Sequence, residues 1–178
     1  MDAKTSVSQF DELLDIVDEN DQVIGQKSRS EVYLEGLKNF RVVNAFLENS
    51  HGELLILRRS SEQKVFPLSL DMSMGGHVSS GETYEEALKR ELREELNLDL
   101  DKISCRFLGY LTPHKDGVSA FTKIYSIQTD ETPNYNRDDF IESFWLKPQD
   151  IIARIENGEP AKDDLSKVIR ILYLKKQN

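Results

Sequence analysis

Three glutamates stand close together in one charged stretch of the chain, at Glu91, Glu94 and Glu95. On a helix that turns by about 100° per residue, these side chains fall within an arc of roughly 100°, and Glu91 and Glu95 are i,i+4 neighbours. Like charges at this spacing repel each other. Carboxylate oxygens are the ligands that Mg²⁺ prefers, particularly when substrate phosphates complete its octahedron. The cluster is therefore a candidate metal site, although its charges alone also fit a solvated helix surface.

The helix that would carry the three glutamates has clear ends. Thr83 and Glu86 form a capping box, and Asn97 can adopt the left-handed conformation that ends a helix. Gly75 and Gly76 form a double-glycine turn just before it, where a close bend could direct a backbone carbonyl at the same metal. The apolar positions recur at helical spacing, at Tyr84, Ala87, Leu88, Leu92 and Leu96.

The fixed spacing of these residues resembles a known signature. Gly76 is followed after five residues by Glu82 and, after seven more, by Arg90-Glu91-Leu92-Arg93-Glu94-Glu95. This order matches the Nudix box, G-x5-E-x7-R-E-U-x-E-E-x-G-U with U apolar, and Leu98 fills the last apolar position. Asn97 replaces the usual glycine, and asparagine is the next most tolerant residue of left-handed geometry. The chain is thus identified as resembling the Nudix hydrolases.

The resemblance implies a metal centre on this helix. Glu94 and Glu95 would be primary ligands, Glu91 would be a further ligand or the base that activates water, and the Gly76 carbonyl would be an additional ligand. The implied catalytic residues are Glu91 and Glu94, and the implied cofactor is Mg²⁺, with Mn²⁺ as a substitute. Metal neutralises the phosphate oxygens while a base orients or deprotonates water, as cleavage of a pyrophosphate requires.

Two further features follow from the resemblance. Glu82 would pair with Arg90 and fix the glycine loop to the helix. Family members often add an acid from a loop beyond the box, and Asp138, Asp139 and Glu142 stand where such a residue is expected. Asp139 and Glu142 rank equally as that extra acid, and solvated loop charges are the alternative for both.

The implied reaction is hydrolysis of a diphosphate linkage by water attack on phosphorus. The substrate would be a nucleoside diphosphate, free or linked to a group X. Four residues are candidates to contact it, with ordinary surface charge as the alternative: Arg41, Arg58, Arg59 and His77. The sequence selects neither the base nor X, and a non-nucleotide diphosphate is an alternative substrate.

Isopentenyl-diphosphate isomerase is a rival, because the flanking sequence is similar to that branch. Isomerases of the family place a cysteine immediately before the Gly-His pair, and this chain has Gly75 there. They also take metal-binding histidines from the segment that corresponds to Leu37–Val43, which contains none. Cys105 lies beyond the box helix and is interpreted as a core residue. A non-catalytic nucleotide-sensing module on the same scaffold is a third hypothesis.

The predicted fold is an α/β/α sandwich with a mixed sheet. We predict one domain over residues 1–178, with an N-terminal hairpin extension (1–38), a Nudix core (39–160) and a closing helix (161–178). The hairpin spans Leu13 to Ser28, with a short helix after it. A second hairpin is predicted from Phe40–Leu47 and Glu53–Arg59, and a strand from Leu70–Met74 that stops at Gly75-Gly76.

Composition narrows the choice of partners. A net charge of -9 argues against a surface that coats nucleic acid, which needs a basic face. The single cysteine and the opening MDAKTSVSQFDE indicate a cytoplasmic protein without a secretory signal. No apolar run approaches the ~20 residues of a membrane span, so no membrane association is expected. The expected partner is a small diphosphate substrate, and the family's frequent dimers make a homodimer one expected assembly.

Overall fold

The computed structural model describes residues 11–175. These residues form an α/β/α sandwich around a seven-stranded mixed sheet, with a separate two-stranded hairpin before it. The predicted fold class is therefore confirmed. The elements are β1 (Leu13–Val17), β2 (Val23–Ser28), α1 (Arg29–Leu34), β3 (Arg41–Glu48), β4 (Leu54–Arg59), β5 (Leu70–Asp71), β6 (Met74–His77), α2 (Tyr84–Leu96), a 3₁₀ turn (Leu100–Lys102), β7 (Cys105–Leu111), α3 (Pro113–Asp116), β8 (Phe121–Gln128), β9 (Phe140–Leu146), α4 (Pro148–Glu156), α5 (Asp163–Ile169) and a π-helical turn (Arg170–Leu174).

The main sheet has two halves that touch at one end. In the first half, β3 lies between β8, which is parallel to it, and β6, which is antiparallel. In the second half, β4 lies between β5 and β9 and is antiparallel to both. The predicted hairpin of Phe40–Leu47 and Glu53–Arg59 is wrong in its pairing, because β3 and β4 share a single register pair, Glu48 with Leu54.

The segment that follows β4 explains why these strands separate. Leu70–Met74 was expected to be one strand, but β5 pairs with β4 and β6 pairs with β3, so the segment runs between them. The fully buried Ser73 joins the two halves, since its hydroxyl accepts the Leu47 N–H at 2.8 Å and donates to the Leu55 carbonyl at 2.6 Å. The prediction that the strand stops at Gly75-Gly76 is also wrong, because β6 continues to His77.

Helix α2 covers one face of the sheet and begins and ends as predicted. Thr83 and Glu86 form the capping box, and Asn97 takes the left-handed conformation with φ 53°. Its apolar side buries Leu88, Leu92 and Leu96 against β3, β4 and β8. A second apolar core lies on the opposite face, where α4 and α5 pack. The sandwich therefore places α2 alone on the face that Gly76 approaches.

The N-terminal hairpin and α1 form a third, smaller core. β1 and β2 pair from Leu13 with Ser28 to Val17 with Val23, and Ser28 then caps α1. Leu14, Val32 and Phe40 are buried together beside the start of β3. None of the helices within residues 11–175 is long and apolar enough to cross a membrane.

Candidate active site

Gly76 lies directly beneath the carboxyl group of Glu91. A Cβ added to Gly76 would lie 2.1 Å from Glu91 Cδ and 2.2 Å from its Oε1, so no other amino acid fits without moving that side chain. The backbone of Gly76 has no positive φ, and glycine is therefore required here by space and not by conformation. The contact fixes the height of α2 above β6.

Glu91 is held in this position as a largely buried acid. Its side chain is 12% exposed, and its Oε1 accepts a hydrogen bond from Arg90 Nη1 at 2.6 Å. Burial raises the pKa of Glu91 to about 7, with Glu94 adding to the shift and Arg90 opposing it. A carboxyl with this pKa can exchange a proton near neutral pH.

Glu95 is turned toward the other glycine of the pair. Its Oε2 accepts the Gly75 N–H at 3.1 Å, and its side chain is partly buried. Burial, followed by the charge of Glu91, raises the pKa of Glu95 well above its usual range. On the other side of Gly75, Asn44 Oδ1 lies 2.5 Å from where a Cβ would be.

Glu94 points outward from the same helix face. Its side chain is 59% exposed and its Oε2 lies 3.5 Å from Arg90 Nη1. Because the three carboxylates turn to different partners, no group of three His, Cys, Asp or Glu side chains between residues 11 and 175 is gathered tightly enough to hold an ion as it stands. These carboxylates nevertheless suit a hard cation. The pKa values of Glu91 and Glu95 are raised, and a nearby positive charge would lower them by stabilising the ionised form.

Arg90 joins the glycine loop to the helix. Its guanidinium donates to both oxygens of Glu82 at 2.8 Å and to the His77 carbonyl at 3.0 Å. Glu82 also accepts the Ser79 N–H at 2.9 Å. Hydrogen bonds with Arg90 hold the pKa of Glu82 below its usual value. The predicted contact between Glu82 and Arg90 is thus formed, and Arg90 also holds Glu91.

The residues that form this site lie within a segment that matches a family model. The model described as the NUDIX domain matches residues 38–168. The chain belongs to the Nudix family. An uncharacterized Nudix hydrolase of Nostoc sp. (strain PCC 7120) is 62% identical over 162 residues, which cover 91% of this chain and 96% of that relative. This chain is therefore a Nudix hydrolase.

Two other relatives differ in how similar they are to this chain. The crystal structure of DR0079 from Deinococcus radiodurans is 46% identical and superimposes with a TM-score of 0.86, covering 91% of this chain and 99% of that one. An isopentenyl-diphosphate Delta-isomerase of Kocuria rhizophila is 27% identical over 147 residues, covering 80% of this chain and 82% of the isomerase. The isomerase resemblance in the sequence thus corresponds to a distant relative.

Two of the candidate substrate residues of this Nudix hydrolase are engaged by the N-terminal extension. Arg41 donates to the side chain and the carbonyl of Asp21, both at 2.5 Å. His77 is stacked on Phe40 and lies 3.0 Å from the Tyr33 hydroxyl, with 14% of its side chain exposed. Burial, followed by nearby cations, lowers the pKa of His77 to about 3. Both side chains are positioned to hold the extension against the core.

The other two candidates lie on neighbouring positions of β4. Arg58 binds Glu142 and Glu159 and stacks on Phe144, which packs against the core under α4 and α5. Arg59 instead donates to Asp71 at 2.9 Å and to Gln63 at 2.9 Å. Arg58 and Arg59 therefore belong to different clusters of charged residues.

The two candidate loop acids separate in the same way. Glu142 pairs with Arg58 in register on β9, and so belongs to the cluster near α4. Asp139 accepts a hydrogen bond from Gln63 at 3.0 Å, which links it to Arg59. Its loop also packs on the end of α2, where the Asn136 N–H donates to the Glu95 carbonyl at 2.7 Å.

Lys162 and Asp71 adjoin the glutamates but were not singled out from the sequence. Lys162 Nζ would lie 3.8 Å from a Cβ on Gly75 and is 3.6 Å from Asp71 Oδ2. The neighbouring Ala161 forms a bridge with Leu70 that brings this C-terminal segment to β5. Because Lys162 is 86 residues beyond Gly76 and carries no motif, only tertiary structure reveals it.

Proposed function

We propose that this Nudix hydrolase cleaves the diphosphate linkage of a nucleoside diphosphate, free or linked to a group X, by attack of water on phosphorus. The observation that carries the proposal is the stacking of Glu91 over Gly76, with Arg90 and Glu82 locking the loop to the helix. This arrangement presents several carboxylates beside a backbone turn. Such a surface suits a substrate that arrives with phosphates and Mg²⁺, or Mn²⁺ as its substitute.

Each glutamate has a proposed part in the reaction. Glu94 and Glu95 would hold the metal as primary ligands, and the Gly76 carbonyl would be an additional ligand. The bound metal would neutralise the phosphate oxygens and lower the pKa of water. Glu91 would orient the attacking water or take its proton. Arg90 keeps Glu91 in place while Glu82 keeps the loop closed on the helix.

Cationic side chains beside the glutamates would bind the substrate phosphates. Lys162 and Arg59 share the buried Asp71, and Lys162 Nζ would lie 3.8 Å from a Cβ on Gly75, so one carboxylate links the two cations beside this glycine. We favour these two as phosphate ligands over Arg58, which is paired with Glu142 and Glu159. We also favour Asp139 over Glu142 as the extra acid, because Asp139 is linked to Arg59 through Gln63.

Hydrolysis is favoured over isomerase chemistry by the surroundings of Gly75. A thiol in this position would need a Cβ that lies 2.5 Å from Asn44 Oδ1. The one cysteine of the chain, Cys105, packs at the edge of the core under α2, and burial raises the pKa of its thiol. Neither position offers the reactive thiol that protonation of an allylic carbon by these isomerases requires.

A substrate screen tests the proposal. Nucleoside diphosphates, nucleoside diphosphate sugars and dinucleoside polyphosphates are incubated with Mg²⁺ or Mn²⁺, and the released phosphate products are measured. We expect turnover with at least one class and a loss of at least about 100-fold in Glu94→Gln and Glu95→Gln. Glu85→Gln, an exposed acid on the same helix, is the control. Binding without turnover would favour a sensing module, and turnover of isopentenyl diphosphate to its isomer would favour the isomerase.

Three wider properties belong to the same proposal. The chain acts as a single domain of residues 1–178 and works in the cytoplasm, and a homodimer, which is frequent among family members, is one assembly that we expect. Sedimentation equilibrium at micromolar concentration tests the last of these properties, and a monomer would contradict it.

A further inference from the structure

The N-terminal hairpin contacts the loop that joins Gly76 to α2. We call residues 78–82 the box loop and residues 13–28 the hairpin. The Ser80 N–H donates to the Leu13 carbonyl at 2.7 Å, and Leu14 forms a β-bridge with Ser79. The box loop therefore pairs with the first strand of the hairpin through its backbone.

Asp15 makes two side-chain hydrogen bonds between the two segments. Its Oδ2 accepts the Gly81 N–H at 3.0 Å, and its Oδ1 accepts the Ser80 hydroxyl at 2.7 Å. Asp15 is buried, with 7% exposure. Although burial opposes ionisation, these hydrogen bonds hold the pKa of Asp15 below its usual value. A buried carboxylate that accepts two hydrogen bonds from one loop restricts the conformation of that loop.

The box loop is connected to the glutamates through Glu82 and Arg90. Gly81 immediately precedes Glu82, whose two oxygens hold Arg90. Arg90 in turn holds Glu91 at 2.6 Å and lies 3.5 Å from Glu94. Hydrogen bonds and ion pairs, joined by the Gly81–Glu82 peptide bond, thus connect the hairpin to the proposed metal ligands.

Two other contacts secure the ends of the box loop. At its start, Glu12 accepts the Ser79 hydroxyl at 2.8 Å. Beyond its end, Asp21 accepts the hydroxyl of Tyr84, the first residue of α2, at 2.9 Å. These contacts lie on both sides of the Asp15 contact, so the extension contacts both the box loop and the start of α2.

The hairpin lies outside the range that the family model matches, which begins at residue 38. We propose that this extension is a positioning element of the active site, and that Asp15 is the positioning residue that fixes the box loop for divalent-cation binding. The inference rests on the proposed metal-dependent function. Residues that orient metal ligands through hydrogen bonds typically change metal affinity by ~10- to 100-fold when they are substituted.

The test compares Asp15→Ala, the conservative Asp15→Asn and a matched control. Asp18→Ala is the control, because Asp18 is an acid of the same hairpin whose carboxylate accepts hydrogen bonds from the N–H groups of Asn20 and Gln22 in its own turn. Mn²⁺ affinity is measured by electron paramagnetic resonance, and amide exchange at Ser80 and Gly81 by NMR. We expect Asp15→Ala to weaken Mn²⁺ binding about tenfold and to accelerate exchange at Gly81, with partial rescue by Asp15→Asn and no change in Asp18→Ala.

The outcomes separate this inference from the proposed function. If wild-type protein binds Mn²⁺ and Asp15→Ala binds it equally well, the positioning role is overturned while the proposed function stands. If wild-type protein does not bind Mn²⁺, both are overturned. Should Asp15→Ala fail to fold, Ser79→Ala combined with Ser80→Ala removes the hydroxyl contacts with Glu12 and Asp15. Unchanged Mn²⁺ affinity in that folded double variant also overturns the role.

Discussion

Gly76 and Glu91 fit together above β6, because the glutamate carboxyl fills the position that a side chain on residue 76 would take. The distance from an added Cβ to Glu91 Cδ is 2.1 Å, far below an ordinary contact. The glycine of the box thus sets where helix α2 can lie. Glycine is needed at residue 76 because no side chain fits there. At Gly81 and Asn97, in contrast, the backbone adopts a left-handed conformation.

Gly76→Ala should therefore inactivate the enzyme without unfolding it. The methyl group would push Glu91 away from its position, and a displacement of ~1 Å can cost about 100-fold in rate. We expect kcat to fall by about that factor in the substrate screen, with circular dichroism unchanged. Gly25→Ala is the control, because a Cβ there meets nothing within 4 Å and its φ is not positive. Full activity in Gly76→Ala would contradict the geometry.

The sequence predicted the parts of this site that depend on local signals. The capping box at Thr83, the left-handed Asn97 and the helix face of the glutamates all follow from residues a few positions apart, and the structure has all three. The predicted turn at Gly75-Gly76 was wrong, because pairing with β3 extends the strand through both glycines. Tertiary pairing overrode the local preference of glycine for a turn.

Long-range contacts could not be predicted in this way. Ser73 joins β3 and β4 through hydrogen bonds with Leu47 and Leu55, which precede it by 26 and 18 residues. Asp15 contacts a loop 66 residues away, and Lys162 approaches Gly75 from the C-terminal segment. None of these residues stands in a periodic pattern or motif. Their roles depend on which segments become neighbours after folding.

Glu91→Gln should change how the stability of the metal-free protein depends on pH. The pKa of Glu91 is raised from 4.5 to about 7, so the folded protein holds this proton more tightly than the unfolded chain. Its stabilising contribution is complete below about pH 4.5 and is lost as pH rises through 7. The glutamine variant stays neutral. As pH rises through 7, its free energy of unfolding should therefore increase relative to that of wild type, by at most on the order of 3 kcal/mol.

Urea unfolding in EDTA from pH 4.5 to pH 8 measures this difference. The two proteins should differ least at pH 4.5, where both side chains are neutral, which provides an internal control. An offset that does not change with pH would show that Glu91 is not held as a neutral acid in the folded protein.

Arg90→Lys should weaken the active site although it preserves the charge. Arginine donates here to Glu82, Glu91 and the His77 carbonyl, whereas lysine cannot form the two parallel bonds with a carboxylate. We expect unfolding free energy to fall by about 1 to 2 kcal/mol and kcat by about tenfold. Arg93→Lys is the control, because its side chain is 65% exposed on the same helix. Equal kcat values in both variants would refute this role.

Lys162→Met should weaken substrate binding more than it affects the chemical step. The proposed phosphate contact disappears, while Asp71 keeps its 2.9 Å ion pair with Arg59 and so remains compensated. Loss of one charge-assisted hydrogen bond corresponds to roughly a tenfold rise in KM. Lys162→Arg should restore most of the affinity, because it keeps the charge.

Lys102→Met is the matched control for this substitution, since Lys102 lies beyond the end of α2 with 80% of its side chain exposed. Initial rates at saturating Mg²⁺ give KM and kcat for all three variants, and thermal unfolding checks that each is folded. A Lys162→Met enzyme with wild-type KM but a lower melting temperature would assign Lys162 to the stability of the β5 edge. A raised KM at unchanged melting temperature would place its charge beside the substrate phosphates.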